Sequence, residues 1–167
     1  MSDRAIQDIY PEPVAHCYGC GRLNEHGLQI KSYWDAEQRV CRCRLRPRPE
    51  HLSMPGFVYG GLIASVIDCH AMATAAAATG AAGESDESIP DEGSENESPL
   101  RFVTRSLQVD YLKPTPMGEE LELVGRVEEM TERKAIIHVE LLAGGALRAT
   151  GKVVGIRIPE DMLLSRA

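Results

Sequence analysis

One carboxylate in this chain sits where a carboxylate is expensive. From about Tyr59 to Thr79 the sequence is free of proline, rich in alanine and apolar on nearly every side, and Asp68 stands in its middle. Almost any neutral residue would be cheaper to bury there. A carboxylate in such a place can act as a base or a nucleophile; the structural alternative is a buried cap or an ion-pair partner. Gly60 and Gly61 precede it at the start of the same segment. If that segment is a helix, its first amide N–H groups have no internal partners and its dipole favours negative charge, which is what a developing oxyanion needs. A third group is Cys17-Tyr-Gly-Cys20-Gly, half of a zinc knuckle, with His16 and His26 close in sequence and Cys41 and Cys43 on one side of a strand. No second Cys-x-x-Cys exists, so we read a turn packed with free thiols and no metal. His70 and His138 read as hydrogen-bonded structural residues.

The elements that must position these groups follow from pattern. Residues 1–27 are rich in Pro, Gly, His and Cys and read as an irregular arm. Leu28–Trp34 and Arg39–Leu45 read as short strands joined at Asp35-Ala36-Glu37, and a proline-containing loop, Arg46–Phe57, leads to the long segment. That segment is apolar all round, so it is expected to be a buried helix, with Gly80 as its C′ residue. Phe102–Lys113, Glu119–Met130, Lys134–Leu142 and Leu147–Ile158 are rich in aliphatic and β-branched residues, and we expect an antiparallel meander. Alternation in Glu120–Leu123 and Ile137–Leu141 implies one covered face, and the helix is the only candidate to cover it. A curved antiparallel sheet wrapped around one long buried helix results, of the α+β class.

At 167 residues and 43% hydrophobic content the chain is the size of one domain. No stretch reaches about 20 uninterrupted apolar residues, and Met1–His16 lacks the pattern of a signal peptide, so we expect a cytoplasmic protein with no membrane partner. Five cysteines without a regular framework fit a reducing compartment. The net charge of −7 is carried by seven acids between Glu84 and Glu97, which leaves 18 acidic against 18 basic residues elsewhere. The segment 81–99 reads as a mobile acidic surface insertion and 159–167 as a tail. The neutral body does not oppose a phosphate-bearing ligand, yet it shows no Lys/Arg stripe of a nucleic-acid reader.

The strand–strand–helix–strand order is that of the hotdog fold, and the residues at the helix entrance sharpen the match. Val58-Tyr59-Gly60-Gly61-Leu-Ile-Ala64-Ser-Val-Ile-Asp68 resembles the V-H-G-G-x-x-A-x-x-x-D signature of phenylacetate-type and mammalian thioesterase-superfamily acyl-CoA hydrolases, within the 4-hydroxybenzoyl-CoA thioesterase superfamily. Thr104-x-x-Leu107-x-Val109-x-Tyr111-x-x-Pro114 is similar to the third-strand pattern of that group, and Cys17-x-x-Cys20-Gly21-x-x-Asn24-x-x-Gly27-Leu28 to the N-terminal segment of many bacterial members. The resemblance spans residues 17–158 apart from the acidic insertion, which makes 28–158 one hotdog domain. At one place it breaks: the histidine that helps hold the thioester carbonyl is Tyr59 here, whose phenol still offers a donor at neutral pH.

The resemblance implies an acyl-CoA thioesterase that needs no cofactor. It gives Asp68 the role of base or nucleophile, Gly61 that of an oxyanion-hole amide and Thr104 that of holding water or the carboxylate. Tyr59 and Gly60 would contact the substrate, and Arg133 and Lys134 its nucleotide phosphates, with Arg101 and Arg105 comparable. Gly61 and Asp68 are about 10.5 Å apart along a helix axis, while both must come near about 3 Å of one carbonyl. Two antiparallel helices related by a two-fold axis meet that requirement, so a homodimer is expected, with a dimer of dimers left open. The competing reading is an acyl-CoA binding or sensing protein without turnover, which Tyr59 favours and Asp68 opposes.

Overall fold

The computed structural model describes residues 3–81 and 102–158; the expected acidic insertion, Arg101 and the C-terminal tail lie outside these. The elements are β1 (Ser32–Asp35), β2 (Val40–Leu45), α1 (Gly60–Ala81), β3 (Phe102–Tyr111), β4 (Leu121–Met130), β5 (Lys134–Ala143) and β6 (Ala146–Arg157). They form one antiparallel sheet in the order β1-β2-β4-β5-β6-β3, with α1 packed against it. This is the hotdog arrangement. Period-2 burial is clearest in β5, where Ala135, Ile137, Val139, Leu141 and Ala143 are all buried toward the helix.

Two expectations need correction. Consecutive strands do not form one four-stranded meander: β4, β5 and β6 do, but β3 crosses to the far edge and pairs with β6, from Phe102 opposite Arg157 to Tyr111 opposite Ala149. Strand pattern alone does not encode which neighbour a strand takes. Gly80 does not end the helix, which runs on to Ala81. The helix has the length and composition of a membrane span, with mean hydropathy 1.4 over its most apolar 18 residues. Its apolarity serves the sheet instead: Val66, Ile67, Ala71, Ala73 and Ala75 are fully buried among the strands. The approach is close enough that a Cβ on Gly151 of β6 would lie 2.3 Å from Ile67 Cγ2.

The N-terminal residues are more than an arm. Two single 3-10 turns, Ile6–Ile9 and Glu12–Val14, place Ile6 and Tyr10 in the core beside Leu28 and Ile30. Gln7, fully buried, accepts a hydrogen bond from the Ser32 amide (2.8 Å) and donates one to Ser32 Oγ (3.1 Å). Ser32 Oγ in turn bonds His70 Nδ1 (2.9 Å), whose Nε2 reaches the Cys41 carbonyl (3.1 Å). Burial holds His70 down to about 4, so the ring is neutral at physiological pH, donating through Nε2 and accepting through Nδ1. It is the structural histidine the sequence suggests, joining the arm, β1, α1 and β2.

Candidate active site

Asp68 lies in the third turn of α1, half-buried, on the wall of a cavity of about 230 Å³ formed with Tyr10, Cys17, Cys20, Cys69, Met72, Phe102, Val103 and Thr104. Thr104 Oγ1 donates a hydrogen bond to Asp68 Oδ1 at 2.5 Å. Burial pushes the Asp68 carboxyl above its usual range, the Thr104 hydroxyl opposes that shift, and the charge of Cys17 adds to it. The register of β3 against β6 shifts between Thr104 and Ser106, leaving Arg105 as an extra residue. Such a bulge bends the strand and re-aims its side chains, and it sits directly after the residue that reaches the carboxylate.

At the helix start a different group assembles. The N–H groups of Leu62 and Ile63 both go to the Tyr59 carbonyl, so the Gly60 and Gly61 amides have no helical partner. Tyr111 Oη donates to the Gly60 carbonyl (2.8 Å), tying the far end of β3 to the first turn. The Tyr59 ring, largely exposed, lies over Gly61: a Cβ there would be 2.3 Å from Tyr59 Cε1. Tyr59 and Gly61 line a second cavity of about 340 Å³ with Tyr18, Glu50, His51, Leu62 and Ser65.

The chain thus brings Asp68 to Thr104, and Tyr59 to Gly60 and Gly61, but keeps the two groups in separate cavities. This is the separation along one helix that the spacing requires. Arg133 and Lys134 line neither cavity. They lie at the β4–β5 turn, where Lys134 pairs with Ile156 and Ile156 with Val103. The turn is therefore at the Thr104 end of the sheet, about two strand spacings away, or about 9.6 Å. Lys134 Nζ is engaged by Glu129 at 2.7 Å. Arg105 and Arg133 are exposed.

Two participants were not legible beforehand. Cys69, next to Asp68, joins the Cys-x-x-Cys turn: the Sγ atoms of Cys17, Cys20 and Cys69 all lie within 4.8 Å of one another, with Cys17 and Cys69 at 3.7 Å. Hydrogen bonds from the Cys20 and Cys69 thiols pull Cys17 far below the usual thiol range. Cys41 and Cys43, the other cysteines close enough in sequence to suggest partners for this turn, are instead buried in β2, where desolvation pushes each up to about 12. The second is His51, buried in a single 3-10 turn (Pro49–His51), whose carbonyl accepts from the Tyr59 amide (2.8 Å). No periodic signal marks it, and for Cys69 the sequence offers only its place next to Asp68.

Comparison with known proteins agrees with this architecture. No match is found among curated protein sequences. A thioesterase superfamily protein from Shewanella loihica, of known crystal structure, is 40% identical over 92% of this chain and 99% of its own, with TM-score 0.63. The PaaI protein of the E. coli phenylacetic acid degradation operon (15% identity, 79% and 81% coverage, TM-score 0.58) and smu.793 of Streptococcus mutans, solved with acetyl CoA (16%, 77% and 86%, 0.58), share the fold. The family model of the thioesterase superfamily matches residues 55–149, the stretch that holds the double glycine, Asp68 and Thr104, and this chain belongs to that superfamily.

Proposed function

We propose that the protein is an acyl-CoA thioesterase, hydrolysing an acyl- or aryl-CoA thioester to the free acid and CoA as a homodimer. The observation that carries this reading is Asp68: a carboxylate raised above its usual range, bonded through Oδ1 to Thr104, on a cavity wall inside an otherwise apolar helix. Asp68 takes a proton from water; the resulting hydroxide attacks the thioester carbonyl; the negative charge moves to the carbonyl oxygen, facing the unpartnered Gly60 and Gly61 amides. Collapse breaks the C–S bond, and the proton held by Asp68 leaves with the CoA thiol. Tyr59 supplies a further donor at the oxyanion.

The two separate cavities and the edge strand β3 support dimerisation. This edge strand has a partner on one side only, and Val103, Leu107 and Tyr111 are exposed along it. Two copies joined there, with antiparallel helices, bring Gly61 of one to Asp68 of the other. Arg133 and Lys134 are assigned to the CoA phosphates, and a cytoplasmic location suits a protein with so many cysteine side chains. Tyr59 in place of histidine is the observation that favours a second reading, acyl-CoA binding without turnover. Thiol release from short, medium, long and aryl acyl-CoA by wild-type and Asp68→Ala protein decides between them. Turnover that the variant loses while remaining folded supports hydrolysis; saturable binding without wild-type turnover supports the second reading.

A further inference from the structure

Three sulfur atoms meet at the wall of the Asp68 cavity, and the thioesterase reading uses none of them. Cys17 and Cys20 come from one turn, and Cys69 comes from α1, 52 positions after Cys17. In a tetrahedral zinc site with Zn–S of about 2.3 Å, neighbouring sulfurs are about 3.8 Å apart. Cys17 and Cys69 are already at 3.7 Å, and no pair in the cluster exceeds 4.8 Å, so a cation needs movements of only about 1 Å to draw all three in. We propose that Cys17, Cys20 and Cys69 form a three-thiolate site for a thiophilic divalent cation, Zn2+, whose fourth position opens on the cavity shared with Asp68.

The backbone, not the sulfurs, sets this geometry. The turn is held by hydrogen bonds from Leu28 N to the Tyr18 carbonyl (2.8 Å) and from Ile30 N to the Gly19 carbonyl (3.1 Å). Between the two cysteines Gly19 lies against Cys69, where a Cβ would stand 2.3 Å from its Sγ. A side chain at 19 would displace the Cys69 thiol or push the turn off the helix. The cluster also differs from ordinary packing of thiols as small apolar groups. Cys41 and Cys43 are such a case, fully buried inside β2, whereas Cys17 is exposed and all three clustered cysteines line an open cavity. Thiolates select soft or borderline cations over Mg2+ or Ca2+. Binding releases the thiol protons to solvent and moves no electrons. The cation would tie the arm to α1 beside Asp68 and fix one wall of the cavity. This inference stands apart from the thioesterase reading, since it concerns binding alone.

The test uses the full chain, reduced and stripped of metal, titrated with Co2+ as the visible probe and then with Zn2+. The expected result is one equivalent of Co2+ with thiolate-to-cobalt charge transfer and tetrahedral visible bands, both bleached by Zn2+. Cys17→Ser and Cys69→Ser should each weaken Zn2+ binding by about 100-fold or more, and Cys43→Ala should leave it unchanged. Alkylation footprinting of the wild-type protein needs no variant: Zn2+ should shield Cys17, Cys20 and Cys69 together. Absence of the charge-transfer band in folded, reduced wild-type protein, unchanged affinity in both serine variants, or no shielding of the three thiols would overturn the proposal.

Discussion

The ring of Tyr59 occupies the space above Gly61 that a side chain at 61 would need, with Cε1, Cζ and Oη at 2.3, 2.5 and 2.7 Å from where a Cβ would be. The phenol therefore stands directly at the helix N-terminus whose amides are unpartnered, and the glycine leaves it room.

That relationship predicts an asymmetry. Tyr59 is 58% exposed and can swing away, so Gly61→Ala should change stability by less than about 1 kcal/mol. It should nevertheless displace the phenol and lower kcat by about 100-fold, as should Tyr59→Phe, which removes one donor from the oxyanion. Tyr59→His, restoring an imidazole donor, should keep kcat within about 10-fold of wild type. Chemical denaturation beside steady-state kinetics with acyl-CoA checks all three.

Thr104 acts through Asp68. Thr104→Val keeps the β-branched shape but removes the hydroxyl from Oδ1, and should reduce kcat by about 10- to 100-fold with little change in KM. Thr104→Ser should recover most of the loss. A variant pair with equal kcat would mean the hydroxyl only packs.

Isotope placement separates the two roles open to a carboxylate. In single turnover with excess enzyme in H2(18)O, a base leaves the Asp68 oxygens unlabelled, whereas a nucleophile that forms an anhydride picks up label when water cleaves it at the aspartyl carbonyl. We expect no label in the peptide containing Asp68, read by mass spectrometry.

At the exposed edge of β3, charge should split the proposed dimer. Leu107→Lys, at a position 37% exposed, should shift the protein toward monomer in sedimentation and reduce turnover by at least about 100-fold, since each copy then lacks the other's half of the site. Activity retained by a true monomer would remove the two-fold argument.

His70 is the keystone of the buried chain from Gln7 to Cys41. His70→Leu fills similar volume but leaves the Cys41 carbonyl without the His70 bond, and should cost about 2–3 kcal/mol in urea unfolding. His70→Gln, with a donor and an acceptor of its own, should cost less.

Much of this was legible in sequence because it is local. A proline-free apolar run gives the helix, and an acid inside it has no cheap explanation; alternation in β5 and the turns on either side gives the sheet. What was not legible is non-local. Phe102 opposite Arg157 is a pairing over 55 positions that nothing in either strand announces. Ile6, Gln7 and Tyr10 join the core from single turns too short for periodicity to mark. Cys69 completes the cysteine cluster only because Gly19 lets the turn approach the helix, a relation visible in space and not in spacing. Arg133 and Lys134 stand out in sequence by charge alone, and what the fold supplies is their end of the sheet, with Lys134 already paired to Glu129.

The position of β6 has a consequence for how the chain is made. It provides Gly151 under Ile67 and is the neighbour that fixes β3 in the sheet. On the ribosome, α1 is complete long before either exists, so the part of its flank that β6 covers, around Ile67, stays open until synthesis has passed Arg157. Among the described strands β6 acts as the clasp of the fold, and nascent chains that stop short of it would offer chaperones the open Ile67 flank of α1 and an unpaired β3.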